Sequence, residues 1–248
     1  DEIPVYCEDF IQWVIEDNFI AGRPAWEEVG VEFTNDVTAF ENMKLSLLNA
    51  SHTLLAYPSF LSGYRKVDEA VQDSRFKRLL RDYMDIDIPP YVSASENTDL
   101  TLYKKILIER FGNHSVSDQI SRLCADGASK YPVYVMPNLI KMIRDKADLT
   151  RVAFSIASYR HYLKYRVDDQ GTSFEINDPW LTMEDMQLIE SNIPIDFLSL
   201  SPFRSIDLKS VSNFVGTYEK MAEGLKSKGV LALLETIVRQ PMTKIKYV

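Results

Sequence analysis

Residues 41–52 read Glu-Asn-Met-Lys-Leu-Ser-Leu-Leu-Asn-Ala-Ser-His, and the way polar groups are set into this run decides how the rest of the chain is read. On a helix advancing about 100° per residue, with Lys44 at zero, Glu41 falls near about 60°, His52 near about 80° and Asn49 near about 140°. The four therefore share a face. Phe40, Met43, Leu47, Ala50 and Leu54 make a wholly apolar face opposite, and Leu45, Leu48 and Leu55 stand among the polar groups. A helix that is apolar nearly all round is a buried helix, and a solvated face would not carry three leucines between its polar members. An ammonium, an amide and an imidazole buried together are costly unless partners or a substrate satisfy them. The polar stripe is therefore expected to line a cavity.

Working outward, Asp36 or Thr38 can cap the start of this helix, and Pro58 is expected to kink or end it. Residues 1–38 differ from everything that follows. Runs rich in β-branched and aromatic residues, Pro-Val-Tyr-Cys at 4–7 and Val-Gly-Val-Glu-Phe-Thr at 29–34, suggest two strands around a short helical run at 9–17. Two strands alone make no stable sheet and need a larger sheet or a helical surface to cover them. Beyond Asp36 helices dominate. Residues 65–84 are helical up to Pro89-Pro90, and residues 99–112 form a helix punctuated by Asp99 and Gly112. A helix carrying Ile120, Leu123 and Cys124 is expected to stop at Gly127. Residues 138–144 and 148–164 read as consecutive helices, then a polar loop leads to Asp178-Pro179 and a helical end. The tail at 243–248 is expected to fray. The fold class is thus mainly α, with a strand-containing segment at 1–38 and a helical domain at 39–248.

The chain has 248 residues, 46% of them apolar, and a formal charge of −8. That length can bury one sizeable core or two small ones. The acidic balance argues against nucleic acid, whose binding needs a positive surface to displace counterions, and against an anionic membrane surface. No apolar run reaches the roughly 20 residues of a membrane-spanning helix. Asp1 and Glu2 open the chain without a basic-then-apolar leader. Cys7 and Cys124 lie outside any metal-ligand or redox spacing, so free thiols in a reducing cytoplasm are expected. His52, His114 and His161 are far apart with no paired cysteines beside them, so no zinc site, and no other metal centre, is expected.

The pattern Lys-x-x-x-x-Asn-x-x-His, with a glutamate three residues before the lysine, resembles the catalytic helix of the polyol-specific long-chain dehydrogenases and reductases, the mannitol 2-dehydrogenases and their relatives. Asp126-Gly127-x-x-Lys130-x-Pro132 with Arg122 four residues before the aspartate is similar to a second motif of that family, and the Asp-x-x-Gly run at 168–171 ending in Asp178-Pro179 to a third. The similarity runs over nearly all of the chain. It implies a multi-helical C-terminal dehydrogenase domain like that of 6-phosphogluconate dehydrogenase. It also implies a polyol such as mannitol and a ketose such as fructose as substrates, and NAD or NADP as cofactor. Family members carry an N-terminal nucleotide-binding domain with a glycine-rich phosphate turn, and none of the nine glycines here makes Gly-x-Gly-x-x-Gly after a strand. NAD(P) is therefore expected to be bound mainly by a domain outside this chain, which residues 1–38 would adjoin.

Oxidising a secondary alcohol requires a base for the hydroxyl proton while hydride leaves the carbon. A lysine can serve where desolvation disfavours its charged form, and Lys44 is the candidate. Asn49 would donate its amide to the developing alkoxide, and His52 would hold a neighbouring hydroxyl. The resemblance places Glu41 at a water channel for proton exchange, and Arg122 and Lys130 on the far substrate hydroxyls. A hexuronate reductase of the same family is the alternative, because two cations could equally hold a carboxylate. A non-catalytic helical binding module is the other.

Overall fold

A computed structural model describes residue 3, residues 10–92 and residues 98–239. The strand expected at 4–7, Cys7 and the tail at 243–248 lie outside the described residues. Two short strands, β1 (Trp13–Glu16) and β2 (Val31–Thr34), pair in parallel with Trp13 opposite Val31 and Glu16 opposite Thr34. The second strand lies where the sequence predicts one. The first replaces the predicted helical run, because Trp-Val-Ile-Glu carries β-branched and aromatic residues that suit a half-covered pleat. Trp13 stacks on Trp26 at 5.7 Å between centroids, and the Arg23 guanidinium lies 3.6 Å over the Phe33 ring.

The remainder is helical. It begins with α1 (Val37–Met43), a π-helical turn (Lys44–Asn49) and α2 (Ala50–Leu61), which run on as one rod. Asp36 caps its start by accepting from the Ala39 N–H at 3.0 Å. Then follow α3 (Val67–Gln72), α4 (Ser74–Asp82), a second π turn (Tyr83–Asp87), α5 (Leu100–Phe111), α6 (Ile120–Cys124), α7 (Gly127–Tyr134), α8 (Met136–Arg144), α9 (Thr150–Tyr165), α10 (Met183–Glu190), α11 (Ser212–Lys228) and α12 (Val230–Val238). Pro58 does not end α2. It stands three residues before the last residue of the helix, where the missing N–H removes a single ladder bond.

Every residue of α2 except His52 is buried. Two of its polar members bond back along the rod: Thr53 Oγ1 donates to the Asn49 carbonyl at 3.1 Å and Ser59 Oγ to the Leu55 carbonyl at 2.7 Å. Against α2 packs α9, buried over nearly its whole length. Between them Tyr57, Tyr131, Tyr159 and Tyr162 stack at centroid distances of 4.6 to 6.2 Å. Their hydroxyls reach out of the cluster, Tyr57 to the Cys124 carbonyl at 3.2 Å, Tyr131 to Ser155 and Tyr159 to Asp178 at 2.6 Å.

Gly127 begins α7, where the sequence predicts a stop. Asp126 turns the chain through the left-handed region at φ 58°, and the next residue lies against the tyrosines. A Cβ on Gly127 would stand 2.2 Å from Tyr57 Oη and 2.8 Å from the Tyr159 ring. The loop from Asp168 to Asp178 clamps this arrangement. Asp178 accepts from the Ala128 N–H at 3.0 Å, Asp168 from Arg65 at 2.6 Å, and Asp169 from the Val230 N–H that opens α12 at 2.8 Å. Among the described residues no helix is long and apolar enough to cross a membrane.

Gly127→Ala should cost about 1–3 kcal/mol, since overpacking a filled core forces backbone and ring shifts. Gly216→Ala in α11, where nothing lies within 4 Å, should be neutral or gain up to about 1 kcal/mol. Urea unfolding of both variants checks the pair, and equal midpoints would refute the steric reading.

Candidate active-site cleft

A π turn interrupts the rod within the polar stripe. Ala50 N–H bonds to the Leu45 carbonyl, one residue further back than in an α-helix. Ser46, buried in the turn, anchors it: Asn138 Nδ2 donates to Ser46 Oγ at 2.8 Å and the Tyr83 hydroxyl to the Ser46 carbonyl at 3.4 Å. Met43, Leu47, Ala50 and Leu54 face the core as expected. Leu55 is buried too, and Leu48 is partly so.

The four polar residues divide along the rod, because Lys44 and His52 stand about two turns apart. Glu41 and Lys44 are exposed and line one cleft of about 590 Å³. Its apolar walls are Phe10, Val14, Val37, Phe40, Leu48 and Tyr103. The expectation of a buried lysine is therefore corrected in this chain: residues of the β1 segment and α5 line the Lys44 cleft but leave the lysine exposed. His52 lines a second cleft of about 210 Å³, together with Arg122, Asp118, Asp68 and Phe111. Leu48 and Arg110 belong to both clefts, so the two adjoin across these side chains and are together called the groove. Asn49 sits on the turn between Lys44 and His52, its amide oxygen buried without a hydrogen-bond partner among the described residues.

His52 is the one window of α2 onto this groove. Its ring packs 4.5 Å from that of Phe111. Burial pushes its pKa down to about 4; the carboxylate of Asp118 opposes that shift, and the nearby cations Arg122, Arg110 and Lys130 add to it. The imidazole is thus neutral near pH 7, with one nitrogen to donate and one to accept. Arg122 donates through Nε to Asp118 Oδ1 at 2.8 Å and through Nη2 to Oδ2. Lys130 gives hydrogen bonds to the carbonyls of Arg122, Leu123 and Ala125 at 3.1, 3.0 and 2.5 Å. Its ammonium thus closes the end of α6 and is not among the residues lining either cleft. Desolvation holds it below the ordinary lysine value.

Arg110, Asp118 and Phe111 are site-lining residues that reading the sequence did not single out. A charge on an amphipathic helix looks the same whether it faces water or a groove. Only the four-residue spacing of Asp118 and Arg122 carried a signal. Among the described residues no group of three or more His, Cys, Asp or Glu is placed to hold a metal ion.

Residues 36–226 match the family model described as the mannitol dehydrogenase C-terminal domain. A polyol:NADP oxidoreductase of Gluconobacter oxydans is 35% identical over 94% of this chain and 48% of its own length, and a mannitol 2-dehydrogenase of Aspergillus niger 34% identical over 94% and 49%. Among solved structures, Pseudomonas fluorescens mannitol 2-dehydrogenase, in a ternary complex with NAD and D-mannitol, superposes with a TM-score of 0.86 at 39% identity, over 95% of this chain and 48% of that one. A substrate-free D-sorbitol dehydrogenase gives 0.88 at 35% identity, over 94% and 48%. The chain spans about half the length of the curated relatives it matches.

Because the folded-state pKa of His52 lies below its ordinary 6.5, the unfolded chain takes up a proton that the folded chain refuses between those values. The stability this contributes is complete above about pH 6.5 and is lost as pH falls toward about 4, on the order of 2 kcal/mol by pH 5. NMR titration of the His52 ring should give a midpoint near 4, and His52→Gln should flatten the stability profile over that window. A midpoint near 6.5 would refute the desolvated ring.

Proposed function

The chain belongs to the mannitol dehydrogenase C-terminal-domain family, and from that membership we propose that it is the substrate-binding and catalytic half of an NAD(P)-dependent oxidoreductase interconverting a polyol and a ketose. The observation that carries the reading is the pair of adjoining clefts. Lys44 stands in one half and His52 with Arg122 in the other, with Leu48 and Arg110 as common walls. A proton acceptor and a set of hydroxyl ligands are thereby adjacent, as an alcohol oxidation requires.

Lys44 takes the proton of the reacting hydroxyl, and Glu41, exposed in the same cleft, passes it on to solvent. Asn49 donates its side-chain amide to the oxygen as negative charge develops there. Neutral His52 binds a neighbouring hydroxyl as donor or acceptor, and Arg122 binds one further along the substrate. Lys130 acts through Arg122, because its three carbonyl bonds hold the turn on which that arginine stands.

A nicotinamide, when bound, supplies the hydride acceptor. The apolar walls of the Lys44 cleft suit the face of such a ring, whereas no described residues form a glycine-rich turn for its pyrophosphate. That task falls to a nucleotide-binding region outside this chain, as in relatives about twice as long. Residues 1–38 would adjoin it, and Ile11, Trp13, Ile20 and Val29, exposed on and around the strands, are apolar surface for it to cover. Covering that side would also exclude water from Lys44, which a lysine base needs.

In the full-length protein Lys44→Met should lower turnover by roughly 10²–10⁴-fold while leaving ground-state binding nearly intact, since a general base acts on the transition state. Methionine keeps the unbranched apolar stem. Added primary amines should partly restore the Lys44→Ala variant. A Lys44→Met enzyme with near-normal turnover and an unchanged acid limb in its pH profile would make Lys44 a surface cation and end the assignment.

A further inference from the structure

We propose that Asp118 sets the charge specificity of the His52 half of the groove: by holding Arg122 in an ion pair it presents a neutral, hydroxyl-binding surface that accepts an uncharged polyol or ketose and disfavours a hexuronate of the same length. The inference rests on the function proposed above and selects between its two substrate classes.

The pair is built asymmetrically. The Asp118 side chain is 21% exposed and that of Arg122 67%, so the carboxylate is the fixed member and the guanidinium the outward one. Asp118 is held by its backbone as well. Its carbonyl accepts from the Val67 N–H at 3.0 Å, Gln119 bridges to Lys66, and Ile120 N–H donates to the Arg65 carbonyl at 2.9 Å. Burial works against ionisation of Asp118, but the hydrogen bonds and charge of Arg122 outweigh it and keep the carboxyl below the usual carboxylate range.

The ionisable groups lining this half are then balanced. Arg110 and Arg122 face Asp68 and Asp118, and His52 is neutral. Asp68 is paired with His114 at 2.7 Å, and the Arg110 guanidinium lies 4.1 Å over the Phe10 ring. Two of the five N–H groups of Arg122 serve Asp118, which leaves donors for hydroxyl oxygens. A carboxylate entering the same space would meet a like charge that is fixed and partly desolvated. Specificity against a competitor is commonly built by such a repulsive element.

The test uses the full-length protein and two substrates of equal carbon number, a neutral 2-ketohexose and the corresponding 2-ketohexuronate with its carboxylate at the far carbon. Wild type should show the higher kcat/KM for the neutral ketose. Asp118→Asn, which keeps the shape and one acceptor oxygen, should shift the ratio of the two kcat/KM values roughly tenfold toward the hexuronate, carried by KM. Asp118→Glu should keep the wild-type preference. If Asp118→Asn merely loosened α6, both values would fall together at an unchanged ratio, and that result overturns the proposal. So does a wild-type enzyme that prefers the hexuronate, a comparison that needs no variant. An enzyme active on the ketose with an unmoved ratio sinks the role of Asp118 alone, whereas a full-length protein reducing neither substrate sinks the oxidoreductase reading and this inference with it.

Discussion

Two tyrosine rings lie so close over the backbone of Gly127 that no side chain can stand there, and much of the molecule is arranged around that contact. Tyr57 belongs to α2 and Tyr159 to α9, so the same contact brings the helix bearing the site and its main packing partner onto the start of α7. Asp178 completes the junction by accepting from both the Tyr159 hydroxyl and the Ala128 N–H. What a sequence comparison registers as separate short motifs is therefore one piece of packing. The Asp-Gly step, the Asp-Pro landmark and the tyrosine-rich helices are parts of a single buried joint. Because the turn from α6 into α7 leaves this joint directly, the orientation of Arg122 depends on core packing as much as on its own ion pair.

The parts of the fold legible in the sequence were those set by neighbours a few residues apart. Asp36 and Asp99 mark helix starts where the structure has them, and the apolar face of Met43, Leu47, Ala50 and Leu54 is buried as its spacing requires. The misreadings depended on partners distant in the chain. The π turn has no local signature, since Ser46 is held by Asn138 and Tyr83, 92 and 37 residues away. Gly127 looked like a helix stop because the rings crowding it come from α2 and α9. Local pattern makes the run at 9–17 helical, and pairing with β2 overrides it at 13–16. Within the site, Glu41, Lys44, Asn49, His52 and Arg122 stood out from pattern and resemblance. Arg110 and Asp118 did not, because a lining charge is told from a solvated one only when the groove is seen.

Electrostatically the groove departs from the chain around it. The protein carries a formal charge of −8, yet the His52 half has two arginines set against two aspartates and an imidazole kept uncharged by burial. Acidity elsewhere therefore does not impose itself on the bound molecule. The other half, with Glu41 and Lys44 at the surface and apolar walls behind them, is dry on one side and open on the other. An unfinished cavity of this kind suits a site whose remaining wall is supplied from beyond the helical bundle.

The wide turn at Lys44–Asn49 also bears on how such a chain can change by descent. A π turn is an α-helix carrying one surplus residue, so deleting a single codon within it would leave a continuous, more regular rod that should fold at least as well. The same deletion would turn Lys44 little around the axis relative to His52, because the wide turn advances less than 100° per residue and already absorbs the surplus residue's rotation; what it would remove is the widened turn that carries Asn49. The helix is thus held off its most regular geometry by one residue. Loss of that residue would leave a sound scaffold, but without the widened turn that sets Asn49 between the two clefts.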